Sequence, residues 1–138
     1  MKRIALSTAF AVGFAVLVAA CSGSAAKQPV TVTVTAKDFS FEASQTTFQV
    51  GVPYHFVVTN KGTVQHEFMI IKPEPAGTDS TQLDSEAIVH IEEDDLNPGE
   101  THSIDYTFTK PYPSGTLEIA CHMPGHYENG MHLAIEVK

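Results

Sequence analysis

Hydrophobic and polar residues alternate with a period of two along most of the chain after residue 30. The segment VTVTVTA at 30–36 is the clearest case, because branched apolar residues alternate there with threonine, as in a strand with one buried face. Turn motifs such as NKGT and NPGE separate further strand-like segments, which read FSFEA, TTFQV, YHFVVTN, VQHEFMII, HSIDYTFT, GTLEIAC and MHLAIEVK. Seven or eight short strands with little helical periodicity predict an all-β fold, an antiparallel β-sandwich.

One acidic segment, residues 73–97, departs from the alternating pattern. Its apolar residues recur at a spacing that fits one face of a helix, namely Leu83, Ala87, Ile88 and Ile91. Thr81 is placed to cap such a helix together with Asp84. We predict a short helix or an ordered loop at the edge of the sandwich, and no second domain.

The beginning of the chain has the layout of an export signal. Lys2 and Arg3 are followed by residues 4–26 without a single charge, mostly Ala, Val, Leu and Phe. The segment VLVAAC at 16–21 resembles the bacterial lipobox, so we predict cleavage before Cys21 and lipid attachment to its sulfur. An ordinary secretory cut or an uncleaved membrane anchor remains as the alternative.

This interpretation divides the chain into three parts. Residues 1–20 would be a signal peptide, residues 21–29 a lipidated flexible tether, and residues 30–138 a single folded domain. We therefore expect an exported protein, periplasmic or on the cell surface, that is held at a membrane by the lipid on Cys21.

The two cysteines of the chain could form a disulfide or serve separate purposes. An exported protein with two cysteines ordinarily forms a disulfide. Lipid on Cys21 would remove that partner and leave Cys121 as a lone thiol in an oxidising compartment. Metal ligation is one reason to keep such a thiol, because coordination holds the sulfur as a thiolate.

The net charge of the chain limits the classes of molecule that it is expected to bind. The formal net charge is −8, and without Lys2 and Arg3 six basic and 16 acidic residues remain, about −10. A surface of this charge repels phosphate backbones, so we expect no nucleic-acid partner. A cation or a basic protein is a better candidate for a binding partner of this surface.

Three soft donors stand at equal intervals near the end of the chain. Cys121, His126 and Met131 are each separated by four residues, and they fall at the ends and the middle of a loop between two predicted strands. Thiolate, imidazole and thioether together favour copper over magnesium, calcium or manganese. His66 is the best candidate for a fourth ligand, because it follows a turn at the entry to an apolar strand.

Each of these residues has an ordinary structural alternative when it is taken alone. Methionines in strands usually belong to the core, and single histidines are more often solvated or hydrogen-bonded than metal-bound. A single cysteine can be a small buried hydrophobe. Their joint spacing is what favours a metal site.

The same residues carry a resemblance to a known family. The segment GTVQHEF, followed far downstream by Cys-x4-His-x4-Met around a PGH core, resembles the cupredoxin family of blue-copper proteins over residues 30–138. The resemblance implies a Greek-key sandwich and one Cu(I)/Cu(II) ion. It also implies a trigonal plane of His66, Cys121 and His126 with Met131 as a weak axial ligand. The loop spacing is closer to auracyanin-like members than to plastocyanins.

Two positions beside the ligands depart from the family pattern. Many members have an asparagine after the first histidine and a hydroxyl residue after the cysteine, whereas this chain has Glu67 and His122. We hypothesise that Glu67 and His122 pair across the site, brace the two ligand segments and tune the reduction potential. The other histidines are expected to be structural or solvated: His55, His90, His102 and His132.

The resemblance implies a single-electron carrier rather than an enzyme, because protein side chains would fill all four coordination positions. A single cysteine in the loop excludes the binuclear purple-copper centre. The electron is expected to leave by the edge of His126, within an apolar patch of Met123, Pro124 and Tyr127. The partner would be a basic redox protein, such as a c-type cytochrome, or an oxidase, and the protein a monomer.

A second function remains open, that of an extracytoplasmic copper carrier or copper-resistance protein. Further soft donors near the site favour it: Met69, His122, Met123 and His132. A third possibility is a metal-free adhesion module, against which the lone Cys121 argues.

Overall fold

A computed structural model describes residues 27–138 of the chain. The predicted signal peptide, Cys21 and most of the predicted tether lie outside the described residues, so those predictions stay predictions. Within residues 27–138 we find no helix with the length and apolar character needed to cross a bilayer.

The described chain forms nine strands, one short helix and two single 3-10 turns. The strands are β1 Val30–Lys37, β2 Ser40–Ala43, β3 Thr47–Phe48, β4 Pro53–Asn60, β5 Phe68–Ile71, β6 Val89–Ile91, β7 Thr101–Thr107, β8 Tyr112–Ala120 and β9 His132–Val137. The helix α1 is Ser80–Glu86, and the 3-10 turns are Glu93–Asp95 and Tyr127–Asn129. One sheet has the strand order β2-β1-β4-β7, and the other has β3-β9-β8-β5-β6.

The predicted β-sandwich is confirmed, with one correction to the strand directions. Five strand pairings are antiparallel, but β1 pairs with β4 in parallel and β3 pairs with β9 in parallel. Both sheets are therefore mixed. The chain leaves the first sheet after β2, contributes β3 to the second, and returns as β4. Because this connection is not a hairpin, β4 can run in the direction of β1.

The main core lies between the two sheets. Strand β1 buries Val32, Val34 and Ala36, and its threonines point outward, as the period of two predicts. Phe48 packs against Phe56 and other aromatic rings at centroid distances of 5.0 to 5.6 Å. Burial of each such side chain stabilises the fold by about 1.5–3 kcal/mol.

Strand β5 is buried on both faces. Phe68 and Ile70 belong to the main core, whereas Met69 and Ile71 pack on the other face with Leu83 of α1. The acidic insert therefore covers the outside of the second sheet at this strand.

The insert contains a helix, as predicted, but it is shorter than the apolar spacing indicated. Asp79 caps it by accepting a hydrogen bond from the Thr81 N–H at 3.0 Å, so the predicted cap at Thr81 is wrong. The helix ends at Glu86, and Ile91 lies in β6, where it pairs with β5. Of the four apolar residues that one helix was expected to carry, Leu83 lies in α1, Ile91 lies in β6, and Ala87 and Ile88 lie between the two elements.

Candidate metal centre

The loop between β4 and β5 carries His66 and is held by a buried asparagine. The Asn60 side chain is fully buried, and its Nδ2 donates to the carbonyls of Val64 at 2.8 Å and Leu96 at 2.7 Å. Its Oδ1 accepts from the Gly62 N–H at 2.8 Å. Asparagine favours such local backbone bonds, so this residue fixes the path of the chain just before His66.

The loop between β8 and β9 carries the other predicted ligands. The Cys121 N–H donates to the Met131 carbonyl at 3.1 Å, and the Met131 N–H donates to the His126 carbonyl at 3.1 Å. Gly125 and Gly130 have φ angles of 85° and 95°, a left-handed conformation that glycine adopts without a steric penalty. The loop therefore folds back on itself and brings its two ends and its middle together.

Three predicted ligands converge at this end of the sandwich. The Nδ1 atoms of His66 and His126 are 3.1 Å apart, and the Cys121 Sγ lies 3.2 Å from the His126 Nδ1. All three donor atoms lie within 4.8 Å of one another, and all three residues are buried. Within residues 27–138 no other set of three His, Cys, Asp or Glu side chains has this arrangement. Two imidazoles and one sulfur form a soft donor set that fits copper.

Met131 is buried at the same place. It is fully inaccessible to solvent and belongs to the same apolar cluster as Cys121, whereas Met69 belongs to the cluster under α1. The two methionines therefore occupy different parts of the core, and axial ligation by Met131 stays a prediction.

Burial shifts the pKa values of the converging groups. It raises the pKa of the Cys121 thiol to about 12, against the opposing effect of hydrogen bonds from the backbone N–H groups of Glu67 and Met123. Burial lowers the pKa of His66, and the nearby His126 lowers it further; burial likewise lowers the pKa of His126. Both imidazoles are therefore held neutral, the form in which histidine binds a metal.

Glu67 crosses from one ligand segment to the other. Its Oε1 accepts a hydrogen bond from the backbone N–H of His122 at 2.5 Å, and the side chain is buried. The contact is made with the backbone of His122, not with its imidazole. That ring stacks instead on Tyr127, at 4.2 Å between centroids and 14° between planes, and Tyr127 stacks in turn on His132.

Two residues near the centre were not identified from the sequence as part of the site. Asp38, in the turn between β1 and β2, places its Oδ1 3.4 Å from the His66 Nε2. The next residue, Phe39, meets the His126 ring edge-on, with centroids 5.5 Å apart and planes at 88°. The sequence pattern indicated no role for Asp38 and placed Phe39 in the strand-like segment FSFEA; the pairing of β1 with β4 brings both residues close to His66 and His126.

The remaining histidines lie elsewhere. His55 pairs with Asp105 at 2.6 Å on the outer face of the first sheet, and His102 is exposed. His132 is exposed although Met131 before it is buried. His90 is half-buried among three carboxylates, those of Asp84 and Glu92 in the insert and that of Glu67.

A cavity of about 560 Å³ opens beside the ligand loop, between it and the insert. Five acidic residues line it together with neutral polar and apolar residues; the acidic ones are Glu67, Asp84, Glu92, Glu93 and Glu128, and the others include Met69, His122, Met123 and Pro124. This side of the centre therefore carries negative charge.

Comparisons with known proteins agree with this architecture. The family model described as "Cupredoxin-like domain" matches residues 8–133. The copper-resistant cuproprotein CopI of Rubrivivax gelatinosus is 31% identical over 115 residues, which are 79% of this chain and 67% of that protein.

Solved structures with the same fold include two auracyanins. Auracyanin B superposes with a TM-score of 0.61 at 21% identity, over 82% of this chain and 92% of that one. Auracyanin A, a "blue" copper protein from Chloroflexus aurantiacus, gives a TM-score of 0.58 at 19% identity, over 80% of this chain and all of that one, 100%. From the extent of the family match and the relationship to CopI, we conclude that the chain belongs to the cupredoxin-like family.

Proposed function

We propose that the protein is a mononuclear type 1 copper protein that carries single electrons between redox partners. His66, Cys121 and His126 would form the trigonal plane, and Met131 would be the axial ligand. The observation that carries this proposal is the convergence of two Nδ1 atoms and one sulfur within 4.8 Å in a buried site.

The framework suits electron transfer because it limits rearrangement. Cys121 and Met131 are joined by a backbone hydrogen bond at the ends of paired strands, and Asn60 fixes the loop that carries His66. When bound, copper supplies a one-electron Cu(I)/Cu(II) couple. Because all candidate donors are protein side chains in a buried site, we propose a carrier and not an enzyme.

The surface near His126 suits a redox partner. The imidazole is 8% exposed, and Phe39, at its edge, is 43% exposed. Met123 and Pro124 line the acidic cavity. We propose that electrons leave by this edge to a basic partner, such as a c-type cytochrome, or to an oxidase, with the protein as a monomer.

The test is the optical and electron spin resonance spectrum of the protein loaded with Cu(II), compared with Cys121→Ser. We expect an intense sulfur-to-copper absorption band and narrow copper hyperfine splitting, and both should vanish in the variant. A weak, ordinary Cu(II) spectrum in the unsubstituted protein would contradict the proposal.

Copper handling is the second candidate function, and the relationship to a protein named copper-resistant favours it. The acidic cavity with Met123 and His122 in its lining would suit a metal on its way in or out. The discriminating measurement is the rate at which the copper-loaded protein gives up Cu(I) to a strong chelator. Exchange within seconds supports copper delivery, and retention for hours supports electron transfer.

We further propose that the protein is exported and held at a membrane by lipid on Cys21. The support is the lipobox-like segment at 16–21. Mass spectrometry of the N-terminal peptide from the native host should find a cleaved, lipid-modified Cys21, and Cys21→Ser should release the domain in soluble form.

A further inference from the structure

We propose that Asp38 is a positioning residue of the metal centre, which fixes the orientation and tautomer of the His66 imidazole through its Nε2. The significance for copper rests on the function proposed above. The contact itself belongs to the metal-free protein and can be tested there.

The Asp38 carboxylate is the acceptor available to the Nε2 of His66. The ring is fully buried and its Nδ1 faces His126, so the Nε2 points away from the converging donors. This Nε2 is buried and makes no hydrogen bond, but the Asp38 Oδ1 lies 3.4 Å from it. A buried N–H without a partner costs about 1–3 kcal/mol, so a closure of a few tenths of an ångström onto the carboxylate is favourable.

The carboxylate of Asp38 is held in place by the same loop that carries His66. The Thr63 N–H donates to its Oδ1 at 2.8 Å, and the Thr63 Oγ1 donates to its Oδ2 at 2.7 Å. These two bonds occupy both oxygens and fix the rotamer of Asp38. A carboxylate clamped in this way can orient the imidazole beside it.

Gly62 leaves the space in which the carboxylate and the imidazole meet. A Cβ at this position would lie 2.7 Å from the His66 Nε2, 3.2 Å from the Asn60 Oδ1, and closer still to the Asp38 Oδ1. Any side chain at position 62 would push Asp38 and His66 apart. The absence of a side chain is therefore part of the contact.

The turn that carries Asp38 is itself strained. Phe39 has a φ angle of 62°, and within residues 27–138 it is the one non-glycine residue with a positive φ. Such a conformation costs about 1–3 kcal/mol and persists where surrounding contacts enforce it. Here it places Asp38 against His66 and Phe39 against His126, so one turn contacts both imidazoles.

The contact has two consequences for copper. A proton kept on the His66 Nε2 leaves the Nδ1 free to bind the metal. The negative charge of Asp38 also favours Cu(II) over Cu(I). Loss of an outer partner of a metal-bound histidine typically weakens metal affinity 10–100-fold.

The experiment compares Asp38→Ala and Asp38→Asn with Asp105→Asn as a matched control. Asp105 also pairs with a histidine, His55 at 2.6 Å, but on the outer face of the first sheet. Nitrogen-15 NMR of the metal-free proteins reports the tautomer of His66 and the solvent exchange of its Nε2–H. Competition with a chelator and voltammetry report Cu(II) affinity and reduction potential.

In the unsubstituted protein we expect the His66 proton to stay on Nε2 and to exchange slowly with solvent. In Asp38→Ala this proton should exchange faster or be shared between Nε2 and Nδ1. Cu(II) affinity should fall about 10–100-fold in Asp38→Ala. Asp38→Asn keeps an acceptor but loses the charge, so the reduction potential should rise, by about 59 mV for each tenfold selective loss of Cu(II) affinity. Asp105→Asn should change neither quantity.

Affinity, potential and His66 resonances equal to those of the control in both Asp38 variants would overturn the proposal. If Asp38→Ala does not fold, Asp38→Asn and Thr63→Val, which removes one clamping bond, decide the question. If the unsubstituted protein shows no blue spectrum, the proposed function fails, but the NMR comparison of the metal-free proteins still decides the role of Asp38.

Discussion

The two buried methionines near the copper loop give a matched pair of residues with different expected roles. Replacing Met131 by leucine removes the proposed axial thioether, which Cu(II) needs more than Cu(I) does, so the reduction potential should rise. Met69→Leu should leave the potential unchanged, because Met69 packs under α1. Each volume-conserving change should cost less than about 1.5 kcal/mol in unfolding free energy. Voltammetry and urea unfolding of both variants measure these effects, and equal potentials would contradict axial ligation.

Glu67 is predicted to act on the centre through its charge. Glu67→Gln keeps an oxygen that can accept from the His122 N–H, so the brace between the ligand segments should persist. The loss of a buried negative charge should raise the reduction potential. Voltammetry of the copper-loaded variant and of the unsubstituted protein is the measurement. An unchanged potential would mean that Glu67 only braces the loop.

At the residue scale, the sequence allowed prediction of the convergence of His66, Cys121 and His126, but not of the residues beside them. Cys121, His126 and Met131 lie within one loop, so their spacing alone indicated that they could converge. Asp38 is distant from them in sequence, and only the pairing of Ala36 with Asn60 brings its turn to the loop that carries His66. A register between non-adjacent strands leaves no local pattern that could be recognised.

At the scale of elements, the short helix α1 is held by a single buried side chain. Leu83 is 3% exposed and covers Met69 and Ile71 of β5. Leu83→Ala should destabilise the fold by about 2–5 kcal/mol, because it leaves a cavity above this strand. Gln82→Ala, on the exposed side of the same helix, should change stability by less than about 0.5 kcal/mol. Equal unfolding midpoints of Leu83→Ala and Gln82→Ala in urea would show that the helix does not contribute to the core.

The strand β6 should make stability depend on pH through His90. Burial lowers the pKa of His90, but the carboxylates of Glu67, Glu92 and Asp84 outweigh it, and the pKa is raised overall. A raised folded pKa means stabilisation that is complete below the unfolded value of about 6.5 and is lost as the pH rises through the folded value.

The check is urea unfolding of the unsubstituted protein and of His90→Asn at pH 5.5 and pH 8.5. The difference in unfolding free energy between the two proteins should be larger at the lower pH. The same difference at both pH values would show that His90 does not gain from its carboxylate neighbours.

The acidic insert also shows where prediction of elements by periodicity fails. Four apolar residues of the insert have the spacing of one helical face. Ile91, the last of them, is nevertheless buried because it lies in a strand beside β5. Short apolar segments fit a helix and a buried strand equally well, and tertiary pairing decides between them. The long alternating segments that became β1 and β4 carried no such ambiguity.

At the scale of the whole molecule, copper should stabilise the fold, because its proposed ligands come from two separate loops. A metal present at 1,000 times its dissociation constant adds about 4 kcal/mol to the unfolding free energy. Removal of copper by a chelator should therefore lower the Tm, and readdition should restore it. In Cys121→Ser the same treatment should have a much smaller effect. A Tm that does not depend on copper would indicate that the metal is not held by the folded domain.

The parallel pairing of β1 with β4 also bears on the orientation that a lipid on Cys21 would favour. Val30 pairs with Tyr54 and Ala36 with Asn60, so the chain enters the domain at the end opposite to His66. Residues 21–29 could span at most about 32 Å, at up to about 3.6 Å for each residue. If Cys21 carries lipid as proposed, the domain would stand on its far end, with its redox-active tip directed away from the bilayer. Partners that diffuse in the aqueous compartment would then reach the tip more readily than partners embedded in the same membrane.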